Sequence, residues 1–328
     1  MGAFLASERQ RQARFKAESL YFSDTARSDG VYKRKHYPFC LPRERAEENL
    51  FPEIRQAVLA HFAAHKIKWH EGQDGRPSNH LCSSQVCCVN FLFPFADKPR
   101  ALAEVLRPSF PALREMLPIE DGRYVTFEWI GVRNYLGEKI AGGKPRTRGA
   151  LFTSADAAVM FERMDGKRQV VLIEWKYTES YPGTSLRTAR SGTDRTEIYR
   201  PFFEREDCPL HKAHVPSFDS LFFEPFYQFM RQQFLAHAME EAHELGADIV
   251  SVLHIAPAHN TDFRRITSPK LAHLGETATE VWSRLIRPPA RFISVSTEQL
   301  FGDLDPAQLP EMRTWWDYVT ARYALVRG

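Results

Sequence analysis

Apolar and polar positions follow different periods along the chain, and the changes of period mark its organisation. Residues 1–42 are polar, dotted with aromatics and without sustained periodicity, which predicts a solvated arm or a wrapping segment. Residues 43–67 read as helical, with Pro52 either breaking the helix or opening a second one. Beyond it, Ile54, Val58, Leu59 and Phe62 form an apolar face. Residues 72–79 (GQDGRPSN) have loop composition. The run from His80 to Phe93 is apolar with no deciding period, and a helix beginning near Ser83 or Ser84 is expected. Residues 99–117 are helical in pattern, interrupted by Pro108 and Pro111.

From Tyr124 the pattern becomes β-rich. Residues 124–130 predict a first strand and residues 154–163 a second. Met164-Asp165-Gly166-Lys167 predicts the turn into a third strand over 169–178. The consecutive apolar positions of that strand imply burial on both faces. Residues 180–220 lack a long apolar period, which is unusual inside a compact domain. The clearest helix spans 224–245, with Pro225 suited to its first turn and Gly246 to its end. Further strands are expected over 248–257 and 291–297, and a closing helix over 309–325.

The candidate chemistry lies on the predicted hairpin. Side chains two apart on a strand share a face, so Glu174 and Lys176 project together and Trp175 opposes them. Counting outward from the turn places Asp156 at nearly the height of Glu174 on the neighbouring strand. Two adjacent carboxylates suit a hard cation such as Mg²⁺. A lysine on the same face can orient water or stabilise charge on a phosphate. The bland alternative is a sheet-edge salt bridge of Glu174 with Lys176.

An Asp strand, then an apolar strand ending in Glu-X-Lys, then a long helix and another strand resembles the PD-(D/E)XK nuclease superfamily, whose common core is αβββαβ. More narrowly, SSQVCCVNFLFPF (83–95), SADAAV (154–159), LIEWKY (172–177), IYRPFFEREDCPL (198–210) and EPFYQFMRQQFLAHAMEEAHELGAD (224–248) resemble a bacterial family of restriction-endonuclease-like proteins. The resemblance implies an α/β fold, a mixed central sheet flanked by helices, with helical N- and C-terminal elaborations. It implies a Mg²⁺- or Mn²⁺-dependent nuclease, with DNA the favoured substrate. Asp156 and Glu174 match its metal-binding acids and Lys176 its catalytic lysine, while Ala155 stands where the superfamily has Pro. Glu128 is the candidate further acid; Gln228 and Gln232 are candidate polar contributors, with a solvated helix face as the alternative. Other readings are a catalytically silent nucleic-acid-binding relative, or an interaction domain whose Asp, Glu and Lys form a salt-bridged cluster.

Composition adds boundaries. The chain has 328 residues, 44 Lys plus Arg against 41 Asp plus Glu, and a net charge of +3, which neither demands nor forbids a polyanionic partner. Local clusters matter more. Lys144, Arg146 and Arg148 in the loop 137–149, with Arg187 and Arg190 further on, are expected to line a groove for backbone phosphates. Tyr181, Tyr199, Phe202 and Phe203 are available for stacking or packing. Ordinary ion pairs with Asp194, Glu197, Glu204 and Glu206 are the alternative for these arginines. No apolar run approaches the ~18 residues of a membrane span. Five cysteines without a CxxC pair suggest reduced thiols and a cytoplasmic setting. The expected layout is an N-terminal arm and helical extension (1–79), a nuclease-like core (80–300) and a closing helix (301–328), all one elaborated domain. A homodimer would suit double-strand cutting, but no dedicated dimerisation element is legible.

Overall fold

The turn at residues 164–167 joins the longest strand to its antiparallel neighbour in the structure, a computed structural model that describes residues 2–138, 145–150, 152–189 and 191–325. Gly166 takes φ 76°, a conformation that glycine adopts without a Cβ clash. In chain order, helix α1 (Ala3–Glu18) precedes a small hairpin of β1 (Gly30–Tyr32) and β2 (Lys35–Tyr37). Helices α2 (Arg55–Ala64), α3 (Ser84–Leu92) and α4 (Pro99–Leu106) follow. Then come strands β3 (Leu113–Leu117), β4 (Val125–Trp129), β5 (Ala155–Arg163) and β6 (Arg168–Trp175). Helices α5 (Thr196–Glu204) and α6 (Phe226–Glu241) lead to β7 (Ile249–Ala256). The chain continues through α7 (Ala278–Leu285), β8 (Phe292–Ser296), α8 (Thr297–Phe301) and α9 (Arg313–Tyr323).

Strands β3 to β8 form a mixed six-stranded sheet. Strand β5 pairs antiparallel with β6 on one side. Its other edge is shared, by β4 at one end and β3 at the other. Parallel pairing then links β6 to β7 and β7 to β8. Alternation along the strands feeds two cores. Ala157, Val159, Val171, Ile173 and Trp175 pack with α3, α4 and α9, whereas Ala158, Met160, Val170 and Leu172 pack with α6 and α7. Burial of both faces explains the consecutive apolar run of β6. This mixed sheet flanked by helices is compatible with the expected restriction-endonuclease-like architecture.

Several elements depart from expectation. Residues 99–117 are not one interrupted helix: α4 ends at Leu106, and Leu113–Leu117 is an edge strand. Its Leu113 and Met116 are buried around exposed Arg114 and Glu115, a spacing of three that imitates a helix across a β-bulge. The N-terminal arm is instead a 16-residue helix. The stretch 180–220 contains α5. Strand β6 stops at Trp175, short of Thr178. Helix α6 ends at Glu241, and Pro225 is its cap rather than its first helical residue. Ser83 caps α3 by accepting from the Val86 N–H, as its position suggested.

Helix α1 is buried along Glu8, Gln12, Phe15 and Lys16. Gln12 donates to the Tyr177 hydroxyl at 2.9 Å, and that hydroxyl donates to Glu8 at 2.6 Å. From α9, the Arg322 guanidinium reaches Gln12 Oε1 at 3.1 Å, the Asn49 carbonyl at 2.7 Å, the Leu81 carbonyl at 3.2 Å and the Tyr318 hydroxyl at 2.5 Å. Its remaining donor bonds Asn49 Oδ1. The two ends of the described chain thus meet behind the residue that follows Lys176. All five cysteines are buried and free, and burial pushes the Cys40 thiol up to about 12. Among the described residues, no helix is long and apolar enough to cross a membrane.

Candidate active site

Register sets the site. Ala157 pairs with Ile173 across β5 and β6, while Phe127 pairs with Ala157 and Trp129 with Ala155 across β4 and β5. Glu128, Asp156 and Glu174 therefore lie in one row across three neighbouring strands. Glu128 has φ 51°, a left-handed conformation uncommon for a non-glycine residue. It breaks the alternation of β4, so Phe127 enters one core and Trp129 the other. Such strain costs roughly 1–3 kcal/mol and collects at functional sites.

Each acid has internal donors. Glu128 is fully buried and accepts from Gln85 Nε2 at 2.6 Å and Ser154 Oγ at 2.8 Å, with His70 Nε2 at 3.5 Å. Asp156 is partly exposed and accepts the Trp175 N–H at 2.7 Å. Glu174, buried, accepts from Lys176 Nζ and from Gln232 Nε2, the latter at 2.8 Å. The expectation that Glu174 and Lys176 share a face is met. Gln232 is not on a solvated face: it is buried between Glu174 and the Ser154 carbonyl. Gln228 instead accepts from the Tyr181 hydroxyl at 3.3 Å.

Burial, and then the neighbouring charge of Glu174, raises the Asp156 carboxyl well above its ordinary range; Glu128 adds to the effect and Lys176 opposes it. Burial likewise raises Glu174 against the lowering effect of Lys176. Burial alone would lower Lys176, but Glu174 and the surrounding acids outweigh it and the net direction is strongly upward. Lys176 is thus an ammonium, positioned as a hydrogen-bond donor rather than a free base. His254, beside Glu174 in register, is a buried core imidazole stacked on Phe263, with its Nδ1 2.9 Å from Ser294 Oγ. The three acids are not among the described clusters whose ligand atoms all fall within 4.8 Å of one another. Their carboxylate-only chemistry nevertheless suits a hard divalent cation, and together they form the donor set that could hold one.

The basic loops sit differently. The Arg148 expectation is corrected. Its guanidinium makes five bonds, as many as it has donors: two to Glu120, two to the Phe127 carbonyl and one to Thr126 Oγ1. It clamps the start of β4 and has no donor left for a phosphate. Replacing Arg148 with Met should cost roughly 2–3 kcal/mol, because Glu120 and a carbonyl lose their donors. Chemical denaturation would register that loss, and the salt dependence of nucleic-acid binding should stay unchanged. Arg146 turns inward to the Ile130 and Gly131 carbonyls. Arg187 is half-exposed but paired with Asp194 at 3.0 Å and Asp219 at 3.1 Å, the alternative foreseen for it. Lys144 and Arg190 lie outside the described residues. The aromatics pack rather than stand free: Tyr181 on Phe263, Tyr199 on Tyr227, Phe202 on Phe234 and Phe203 on Phe218.

Residues 9–324 match the family model described as restriction endonuclease associating with ARP. The chain belongs to this family. No curated protein and no solved structure matches it. The family match reaches beyond residues 80–257, on which the sequence resemblance rests, and takes in most of α1 and all of α9. Membership of a restriction endonuclease family supports a nuclease-like function at the coarse level. In this family member, sequence reasoning overlooked His70, Gln85 and Ser154 around Glu128. Gln85 was the detectable one, a lone amide opening the apolar run QVCCV.

Proposed function

We propose that this restriction-endonuclease family member is a metal-dependent phosphodiesterase of nucleic acid, with DNA its favoured substrate. The observation supporting it is the row of Glu128, Asp156 and Glu174 on adjacent strands with Lys176 beside them. These acids would hold Mg²⁺ or Mn²⁺, which when bound lowers the pKa of a water and polarises a phosphoryl oxygen. Asp156, the partly exposed acid, faces the incoming phosphodiester. Lys176 donates to the developing negative charge, and Gln232 and Gln85 keep Glu174 and Glu128 in place. The family description couples its restriction endonuclease to ARP, and that association is carried to this chain as part of the proposal.

A cleft of about 560 Å³ is lined by His70 and Gln85, both of which contact Glu128, and also by Tyr32, Lys33 and Glu71. Lys33, Arg34, Lys35 and His36 are all exposed on the β1–β2 hairpin, whose turn residues Lys33 and Arg34 have φ 47° and 68°. This basic tip takes the phosphate-contacting role first expected of the loop 137–149. Reversing Lys33, Arg34 and Lys35 to Glu should weaken DNA binding and reduce the slope of log K against log salt by roughly 2–3. An unchanged slope would move the phosphate contacts elsewhere.

The deciding experiment is cleavage of supercoiled and linear DNA with Mg²⁺ or Mn²⁺, comparing the unaltered protein with Lys176→Ala. Metal-dependent cutting lost in the variant is expected. Equal cutting by both would place the activity elsewhere or in a contaminant, and binding without cutting would assign the chain to a catalytically silent relative.

A further inference from the structure

Outside the proposed active site, two described clusters bring three potential metal ligands within 4.8 Å of one another: Asp207, His237 and Glu241, and His61, His65 and Glu120. In the first, Arg205 already bonds both carboxylates. In the second, Arg148 likewise bonds the carboxylate, and the open ligand positions are those of the two imidazoles and one on Glu120 Oε1. His61 and His65 stand one helical turn apart at the end of α2, with ring centroids 4.4 Å apart. Glu120 lies on the turn leading into β4, its oxygens 3.9 Å from His61 Nε2 and 3.5 Å from His65 Nδ1.

We infer that His61, His65 and Glu120 form a second metal site, for a first-row transition ion of the zinc class. Three features carry this. First, the His61 side chain is only 3% exposed, and its Nε2 has no hydrogen-bond partner. A buried, unpaired ring nitrogen is costly, and at 3.9 Å Glu120 is too far to be its hydrogen-bond partner. Ligands about 2.0–2.1 Å from one tetrahedral ion stand roughly 3.3–3.4 Å apart, so an inward shift of the two rings of about half an ångström would seat an ion. Second, His65 Nε2 lies 2.9 Å from Asp121 Oδ2, leaving Nδ1 toward the gap. A metal-bound imidazole characteristically gives its other N–H to a carboxylate. Third, Arg148 and Thr126 fix the Glu120 carboxylate. Three of its roughly four acceptor positions are filled, leaving one on Oε1. Burial also holds His61 neutral by lowering it to about 4, the form that ligates. Two nitrogens and one oxygen match zinc better than magnesium, and a water completes the tetrahedron.

The ion would tie α2 to the turn before β4, the strand that carries Glu128. Its role is structural bracing at a distance from the carboxylate row. The test titrates the metal-free full-length protein with Zn²⁺ and with Co²⁺. Calorimetry on the Asp156→Asn background isolates the new site from the carboxylate row. One equivalent of zinc should bind, with a Tm rise of roughly 4 °C at a hundredfold excess over Kd. Cobalt should show the visible absorption of a four-coordinate ion. His61→Gln with His65→Gln should remove the equivalent, the cobalt spectrum and the zinc-dependent Tm rise. His65→Asp, which retains a ligand, should restore weaker binding. Zinc binding that is absent in the unaltered protein, or unchanged in the double variant, overturns the inference. A six-coordinate cobalt spectrum on the Asp156→Asn background also decides against it.

Discussion

Asp156→Asn should make the metal-free protein more stable while abolishing cleavage. The amide oxygen can still accept the Trp175 N–H, so the hairpin keeps its register. What disappears is a negative charge crowded beside Glu174 and Glu128. Relieving such a functional compromise is worth about 0.5–2 kcal/mol, or roughly 1–3 °C in Tm for a chain of this size. The pH dependence follows from the raised Asp156 carboxyl. Between the unfolded value near 3.9 and the higher folded one, the native state binds more protons than the unfolded state. Stability in the unaltered protein therefore falls as pH rises through that window. In the variant that part of the slope is gone, so its advantage should grow from acid toward neutral pH. Mg²⁺ should stabilise the unaltered protein and not the variant. Cleavage should drop about a thousandfold or more, equivalent to about 4 kcal/mol of transition-state stabilisation. Thermal melts over pH with and without Mg²⁺, beside a cleavage assay, measure all of this; a variant less stable than the unaltered protein at neutral pH would mean that the acids are paired for structure, not held for metal.

Replacing Arg322 with Met should be among the most damaging single changes in the protein, although the residue lies on the last helix. Four of its five bonds join α9 to Gln12 of α1, to Asn49 and to the backbone just before α3, and the fifth reaches Tyr318 on α9 itself. Methionine can fill much of the volume but donates nothing. Gln12, Asn49 and Leu81 would keep buried oxygens without partners. Each buried acceptor left unpaired costs about 1–3 kcal/mol, so a total loss of roughly 3–5 kcal/mol is expected. At about 1.5 °C per kcal/mol for a chain of this size, that is roughly 4–8 °C in Tm. Arg322→Lys should recover only part of it, because one ammonium cannot span five acceptors in a fork. A melt within about 2 °C of the unaltered protein would show that the network carries little of the stability.

What was legible in the sequence follows from what its residues do when buried. Strands β5 and β6 announced themselves because both faces of the sheet enter apolar cores. The register of Asp156 and Glu174 followed from counting outward from one Asp-Gly turn. Helix α1 was hidden because its buried stripe is Glu8, Gln12 and Lys16, with Phe15 the only apolar member. Hydrophobic periodicity cannot report a helix whose inner face is polar and satisfied by partners far away in sequence. The same logic concealed the roles of Gln85 and Gln232, polar residues on helices that read as ordinary. Arg148 misled for the opposite reason: a basic residue in a glycine-rich loop resembles a phosphate contact until its internal acceptors are seen. Strand β3 was missed because a bulge gave it a helical spacing.

The meeting of α1 and α9 behind Tyr177 also has a consequence for biosynthesis. A ribosome delivers Gln12 about three hundred residues before Arg322, so early in translation Gln12 has neither Tyr177 nor Arg322 to bond. The stripe of Glu8, Gln12 and Lys16 has too little apolar surface to dock by itself, and the end of β6 stays unbraced until α9 emerges. The proposed catalytic lysine is thereby set in place late, and a chain truncated before Arg322 is expected to be an inert nuclease rather than a deregulated one.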